Sequence, residues 1–462
     1  MAEGSGIRRD RPGGPVAFVA AAGLVGVLTG LVAASFRVLL DLVGQGRGEL
    51  VRWAHGSPVL GLILVVVTCA AGTTVAAWLV HRVEPHAEGS GIPRVEAVVE
   101  GRTEPGRFRI LPVKYVGGLL SIGSGLALGR EGPSVQMGGN IAIIVGAVLR
   151  RSRADVRILV AAGAAAGLAT AFNAPIAGGV FVLEELVKRF DPRTTLATLV
   201  ATGAGFVGAH LLLRGNSAPE FHLPALADPK LSHAPLVLVV GVLSGLLGVA
   251  YNWAVMSSLR LADASRWPVE VRAALIGASV GALGWLAPSV VGGGDNLTQD
   301  ALLGQGTVVA VVGLLALRFV LGILSYAAAT PGGLFAPMLV LGSHLGLLVG
   351  LVGTQLAPHL TPEPAGLALI GMAAFFTASV RAPVTGLILA TEMTGSTTLL
   401  PPMLGACATA MLIATVLHSK PIYDHLTERA VRASRENAAQ ENAAQHPRTS
   451  PGLPPANTAG PD

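Results

Sequence analysis

The stretch Gly129-Arg130-Glu131-Gly132-Pro133 sets a base and an acid between glycines inside a long apolar region. Charged groups at membrane depth are costly, and they mark a functional site by default. The proline suits the first turn of a helix, where its missing N–H would have no partner in any case. The stretch therefore predicts a helix that begins at a functional site inside a membrane.

The whole chain has the composition of an integral membrane protein. Of its 462 residues only 13% are charged and 52% are hydrophobic, against about 25% charged in average soluble proteins. The mean hydropathy is +0.62. Apolar runs near the length of about 20 residues that crosses a bilayer recur; examples are Val16–Phe36, Pro58–Val80, Leu196–Leu213, Ala234–Val255, Val308–Leu324 and Gly366–Val380. We predict an all-α protein that crosses the membrane many times.

Glycine and proline are unusually frequent, at 60 and 30 residues. They stand among Leu, Val and Ala rather than among Ser and Gln, so disorder is the less favoured explanation. In a membrane they allow close helix contacts, and they allow broken helices where the backbone lines a cavity.

The basic residues cluster beside apolar segments, so the net charge of +5 does not require a nucleic-acid partner. One cluster is Arg8, Arg9 and Arg11, and a second is Arg150, Arg151, Arg153 and Arg157. The positive-inside tendency places both clusters in the cytoplasm. A cleaved signal peptide is the alternative for the N-terminus, but the first apolar run is too long and lacks a convincing cleavage site.

Changes in composition divide the chain into three segments. Residues 1–14 are predicted to be a basic cytoplasmic arm and residues 15–433 the membrane body. Residues 434–462 are predicted to be a disordered cytoplasmic tail, because Glu436-Asn-Ala-Ala-Gln is repeated at once from Glu441 and polar residues and proline complete the chain. Such a composition cannot bury a core.

An internal repeat divides the membrane body. At an offset of 208 residues (383 − 175), the residues Gly163, Ala174, Pro175, Gly178 and Glu184 recur as Gly371, Ala382, Pro383, Gly386 and Glu392. The frame Gly129-x-x-x-Pro133-x4-Gly138 recurs at an offset of 204 (337 − 133) as Gly333-x-x-x-Pro337-x4-Gly342. Chance matching in a Gly- and Ala-rich chain is the alternative. We predict two repeats of inverted topology, about 15–214 and 234–433, with broken helices that meet at a central site.

Three stretches have the form of a glycine turn followed by proline and a helix: Gly89–Pro93, Gly129–Pro133 and Gly332–Pro337. A helix N-terminus presents unpaired N–H groups and the positive end of a dipole, so several that converge make an anion site. Each stretch alone is equally explained as an ordinary helix start or loop.

Glu131 has a specific meaning at such a site. Its carboxylate could occupy the place of the anion, and protonation would neutralise the side chain and let it leave. One residue could then be both gate and proton carrier. The alternative is a buried ion pair with Arg130, although adjacent residues at a helix start point in different directions.

Together with Tyr423, these stretches resemble the four signature regions of the CLC family of chloride channels and chloride/proton exchangers, over about Pro15 to Ala433. The resemblance implies a homodimer in the bacterial inner membrane, with both termini cytoplasmic and one pore in each subunit. It implies that chloride and protons are the transported ions and that no cofactor or metal is needed. The chloride-binding residues that it implies are Ser90, Gly132, Leu334, Phe335 and Tyr423, with Glu131 as the gate.

The choice between exchanger and channel depends on Glu185, which matches the internal proton-transfer glutamate of exchangers. It favours exchange over a passive voltage- or proton-gated chloride channel, which is the alternative function. From spacing alone, Glu184 and Glu185 could equally cap an apolar helix beside Lys188 and Arg189.

Two cations complete the resemblance. Lys114 matches a family lysine that supports the anion pathway, although it could also be a snorkelling side chain near an interface. Arg94 departs from the polar or acidic residues of the family, which leaves the charge of the inner vestibule open. An intramembrane enzyme is not favoured, because the zinc motif His-Glu-x-x-His, the serine-protease motif Gly-x-Ser-Gly and the phosphate loop Gly-x4-Gly-Lys are all absent from the sequence.

Overall fold

The computed structural model describes residues 14–213 and 219–432, and within these ranges it contains helices and turns but no β-strand. The helices are α1 Pro15–Ala54, α2 Pro58–Arg82, α3 Ile92–Val99, α4 Ile110–Gly123, α5 Glu131–Val148, α6 Arg153–Phe172, α7 Pro175–Phe181, α8 Pro192–Leu212, α9 Ala234–Ala264, α10 Val269–Leu286, α11 Asp295–Leu302, α12 Val308–Tyr326, α13 Phe335–Leu356, α14 Pro364–Val380, α15 Pro383–Thr394, α16 Leu400–Val416 and α17 over residues 422–432. A π-turn, Val182–Leu186, follows α7.

The first sixteen helices form two sets of eight with the same packing. In the first half α1 packs against α8 and α5 against α6, and in the second α9 packs against α16 and α13 against α14. Between the halves, equivalent helices pair with each other, since α2 packs against α10 and α7 against α15. The chain therefore consists of two related halves about a pseudo-twofold axis, as the repeat predicted.

Both halves break the chain in the same way. Asn173 ends α6 with φ of +53° and Arg381 ends α14 with φ of +71°, and their N–H groups donate to Ala169 and Thr377. Each pair again differs by 208 residues (381 − 173; 377 − 169). An alanine and a proline follow each break and start the next short helix, because proline tolerates the first helical turn.

The repeated glycines are helix contacts. Gly138 on α5 lies against the backbone of Gly163 on α6, and Gly342 on α13 lies against Gly371 on α14; a Cβ at any of the four would overlap the facing carbonyl. Small residues of this kind let membrane helices approach closely.

Eight helices in the described ranges are long and apolar enough to cross a membrane. The examples from the sequence omitted two of them, α6 and α13, which are also the most enclosed by protein. Gly366–Val380 was named as a crossing run, but α14 has only 17 residues and is buried almost throughout. The chain is an all-α integral membrane protein. The predicted arm (except Gly14) and the tail lie outside the described residues.

Candidate functional site

The three glycine turns that were predicted to form one site meet in the structure. The N–H of Gly89 donates to Thr330 (3.1 Å), and the N–H of Gly332 donates to Gly89 (3.0 Å). Gly129 and Gly333, equivalent in the two halves, exchange N–H to carbonyl hydrogen bonds of 2.8 Å in both directions. Backbone hydrogen bonds thus hold together the turns before α3, α5 and α13.

The turn at Ser90 is shaped by close contacts. Gly91 has φ of +77°, where glycine is favoured, and it precedes the first helical residue, Ile92. The Ser90 hydroxyl accepts a hydrogen bond from the N–H of Ile92 (3.3 Å). Gly132 on α5 lies so near that a Cβ there would be 2.7 Å from that of Ser90. The starts of α3 and α5 therefore converge within one side chain of each other, with their unpaired N–H groups nearby.

Tyr423 reaches the same region from α17. It is fully buried, and its hydroxyl has no hydrogen-bond partner among the described residues. Its ring meets Phe181 edge-on (centroids 6.3 Å apart), and Phe181 meets Phe335 in the same way (5.7 Å). Phe335 and Leu334 are also fully buried at the start of α13. The structure thus brings together the predicted chloride-binding residues.

Tyr326, which the sequence did not single out, belongs to this group. Its hydroxyl is hydrogen-bonded to Ser90 and lies against Gly89, where a Cβ would be 2.8 Å away. The residue ends α12, and a tyrosine at the end of an apolar helix is more often an interfacial anchor, so the sequence held no signal for it.

Glu131 is the first residue of α5 and is 1% exposed. Its side chain fills the space beside Gly129 and approaches Ala336 of the second half. Its Oε2 is buried and has no hydrogen-bond partner among the described residues. The carboxylate is therefore held by packing between two helix starts.

Two cavities reach this region. The Ser90 cavity, lined by Ser90, Gly89, Arg94 and Tyr326 among others, has a volume of about 1330 Å³. The Glu131 cavity, lined by Glu131 and Asp295 among others, has a volume of about 120 Å³. The contact between Gly132 and Ser90 joins the elements that line them.

Arg130 turns away from Glu131. Its Nη2 donates to Glu220 (2.6 Å), its Nη1 lies 3.4 Å from Asp295, and its Nε donates to the carbonyl of Ala171 (3.2 Å). The alternative of an ion pair with Glu131 is therefore wrong. Arg130 fastens the start of α5 to the segment between the halves, and nothing in the sequence around Glu220 could have indicated this partner.

Lys114 is fully buried, so the alternative of a snorkelling side chain is wrong. Its ammonium donates to the carbonyls of Ala87 (3.0 Å) and Gly89 (2.6 Å), in the turn before α3. Arg318, 204 residues later (318 − 114), is also buried and holds the turn before α11 through three carbonyls, Val290, Gly292 and Gly293 (2.8–3.1 Å). The repeat offset could have found Arg318 in the sequence.

Glu184 and Glu392 form reciprocal helix caps between the halves. Glu184, just after α7, accepts hydrogen bonds of 3.0 and 2.7 Å from N–H groups at the start of α15. Glu392, near the end of α15, accepts 3.1 and 2.6 Å bonds from the start of α7. The end of each helix meets the start of the other, so equivalent helices run antiparallel, as inverted repeats require.

Glu185 takes no part in these caps. It is buried in the π-turn, and its Oε1 has no hydrogen-bond partner among the described residues. Nearby, Lys188 pairs with Glu96 (2.9 Å) and with Asp424 of α17 (2.7 Å). Burial disfavours the charged Lys188, but its hydrogen bonds to Asp424 and Glu96 outweigh burial and raise its pKa. Lys188 thus remains an ammonium at neutral pH, and the assignment of Glu185 to proton transfer stays a prediction.

No group of three or more potential metal ligands occurs in residues 14–213 and 219–432. The site instead collects backbone N–H groups, two hydroxyls and one protonatable carboxylate. Such a set can bind and release a small anion.

Comparison with known proteins came to a consistent result. A sequence profile described as voltage gated chloride channel matches residues 72–415. The chain is 36% identical over 446 residues to the H(+)/Cl(-) exchange transporter ClcA of Salmonella paratyphi A, with 94% of this chain and 93% of the relative covered. It is 35% identical, with the same coverage, to the protein of that name from Salmonella typhimurium.

Solved structures show the same fold. A slow cyanobacterial Cl-/H+ antiporter superimposes with a TM-score of 0.85 at 33% identity, covering 90% of this chain and 98% of the other. A CLC-type fluoride/proton antiporter superimposes with a TM-score of 0.71 at 23% identity, covering 88% and 97%.

Proposed function

Because the chain belongs to the voltage-gated chloride channel (CLC) family, whose members are ion-transport proteins and not enzymes, we propose that it exchanges chloride for protons across a membrane. The observation that carries this proposal is the position of Glu131. Its buried carboxylate stands at the start of α5 between the two halves and lines one of the two cavities. The relatives named as H(+)/Cl(-) exchange transporters support it further.

The anion is bound by dipoles and hydroxyls in this proposal. The N–H groups at the starts of α3, α5 and α13 supply partial positive charge, from Gly132, Leu334 and Phe335 in particular. Ser90 and Tyr423 add hydroxyl donors. Because these groups carry no full charge, chloride can also leave, which a transporter requires.

The proton is carried by carboxylates. Glu131 in its charged form occupies an anion position and blocks it, and protonation removes the charge that keeps it there. Glu185, buried on the side of α17 and Lys188, passes protons between Glu131 and the aqueous phase. Arg130 and Lys114 hold the turns in place through the contacts described above.

The proposal is tested by proton flux in proteoliposomes. A chloride gradient imposed on the reconstituted protein should drive protons in the opposite direction against their own gradient. Chloride flux without proton movement would instead identify a passive channel.

Two variants test the carboxylates. Glu131→Gln should stop proton movement and keep chloride flux, because an amide mimics the protonated carboxyl but cannot release a proton. Glu185→Gln should impair proton movement while chloride still passes. Retained proton coupling in Glu131→Gln would remove that residue from the mechanism.

We further propose a homodimer in the bacterial inner membrane with both termini in the cytoplasm. The basic clusters at Arg8–Arg11 and Arg150–Arg157 support this orientation. Cross-linking in native membranes and accessibility of single cysteines placed in residues 1–14 and 434–462 test the two statements.

A further inference from the structure

Arg94 is a guanidinium without a partner in the Ser90 cavity. It lies in the first turn of α3, four residues after Ser90, and both residues line the cavity. Its Nε is buried and has no hydrogen-bond partner among the described residues. Its two terminal nitrogens, which have no protein partner there either, remain accessible at the cavity wall.

The other cations of this cavity are neutralised or exposed. Arg429 pairs with Asp263 (2.7 Å), Lys420 with Glu428 (2.8 Å) and Arg102 with Glu100 (2.8 Å). Arg260 and Arg432 are exposed on the rim, where water hydrates them. Arg94 therefore differs from all of them in being enclosed and unpaired.

The nearest acid leaves Arg94 unpaired. Glu84 is within electrostatic range of Arg94, but its Oε1 makes its close contact with His86 Nδ1 (2.6 Å). A partly desolvated cation without a counter-charge attracts an anion from solution, and the focusing of a cavity strengthens that attraction.

The chemistry of guanidinium selects the kind of anion. It is planar and presents parallel N–H groups that match two oxygens of a planar oxyanion, whereas a halide can accept only at a point. We infer that Arg94 forms a second anion site in the Ser90 cavity, which binds small planar oxyanions such as formate, bicarbonate or nitrate more tightly than chloride. The inference rests on the proposed function only in taking the Ser90 cavity as an approach to the anion site.

An oxyanion at Arg94 places negative charge one helical turn from Ser90. Like charges that close repel each other, so chloride on its way to Ser90 meets a higher barrier when the Arg94 site is occupied. Oxyanions supplied on the Ser90 side are thus inhibitors of chloride exchange, in addition to any that are transported.

The test measures binding of ¹³C-labelled formate to the full-length protein in detergent, by line broadening of the formate carbon resonance. The buffer contains a bulky sulfonate as its only other anion. Wild type, Arg94→Gln, Arg94→Lys and the rim control Arg260→Gln are compared at pH 7, where formate is ionised. Gel filtration verifies that each protein is monodisperse.

Arg94→Gln should weaken formate binding by about tenfold or more, the loss of at least one charge-assisted hydrogen-bond pair. Arg94→Lys should weaken it by about threefold or more, since the ammonium keeps the charge and loses the planar fork. Arg260→Gln should bind like wild type.

Equal formate affinity in wild type and Arg94→Gln would overturn the site, and equal affinity in Arg94→Lys would overturn the preference for oxyanions. If Arg94→Gln is not monodisperse, Arg94→Lys decides the matter alone, with the same criterion. Because binding is measured at equilibrium without a gradient, its outcome is independent of whether proteoliposomes show coupled proton flux.

Discussion

Replacing Glu184 by alanine should destabilise the protein, whereas replacing its neighbour Glu185 by glutamine should not. Glu184 accepts three hydrogen bonds, from the N–H groups of Val384 and Thr385 and from the Thr385 hydroxyl (2.7–3.0 Å). Glu185 has a buried Oε1 without a partner among the described residues. The two adjacent acids thus have separate roles, one in joining the halves and one in proton transfer.

The magnitude follows from the cap that is lost. Removal of a helix N-cap costs about 0.5–2 kcal/mol, and backbone groups that face hydrocarbon cannot be rescued by water. We therefore expect Glu184→Ala to lower the free energy of unfolding by about 2 kcal/mol, at the upper end of that range. Glu184→Gln keeps one acceptor oxygen and should lose about half as much. Glu392→Ala removes the equivalent cap at the start of α7 and should match Glu184→Ala.

The assay heats each purified variant in detergent and follows the monodisperse fraction by gel filtration, alongside proton and chloride flux in proteoliposomes. Glu184→Ala should melt several degrees below wild type and keep coupled proton movement. Glu185→Gln should melt with wild type and lose proton movement. An unchanged melting temperature in Glu184→Ala, or coupling that survives in Glu185→Gln and fails in Glu184→Ala, would refute the division of roles.

Three further substitutions probe the turns around the site. Ser90→Pro should shift preference from chloride towards nitrate in anion-exchange assays, and an unchanged preference would place selectivity elsewhere. Arg318→Met leaves three carbonyls without a donor and should cost more than about 3 kcal/mol, whereas Arg318→Lys should recover part of the loss, as Lys114 does in the other half; equal melting temperatures for the two would contradict this. Gly91→Ala forces a side chain into the left-handed region, at a cost of about 1–2 kcal/mol, and into the space of Gln136. It should abolish chloride binding in calorimetry, and normal binding would show that the turn can adapt.

Much of the architecture could be predicted because it is recorded locally in the chain. A proline after a glycine turn marks a helix start wherever it occurs, and α5 and α13 do begin within the predicted stretches. The repeat was visible because close helix contacts and helix starts need the same residue types in both halves. The offsets of 208 and 204 are therefore physical constraints that occur twice.

The contacts of the charged residues could not be predicted in this way. The sequence left Glu184 and Glu185 equal, because a cap is recognised by its neighbours along the chain and the helix that Glu184 caps begins 199 residues later (383 − 184). It could not tell whether Arg130 pairs with Glu131 or with Glu220, since either is sterically open to a long side chain. Lys114 looked equally suited to a buried or an interfacial position.

By itself the sequence determined that this chain is a membrane protein of two repeated halves, and which turns carry glycine, proline and the carboxylate of Glu131. Only the tertiary structure decided that these turns meet, that Glu131 stays unpaired while Arg130 is engaged elsewhere, and that Arg94 is left without a counter-charge. The physical reason is the range of the interactions. Backbone preference and hydropathy act within a few residues and are legible in order along the chain. Pairing of buried charges depends on which elements the fold brings within hydrogen-bond distance, and in this protein those elements lie in opposite halves.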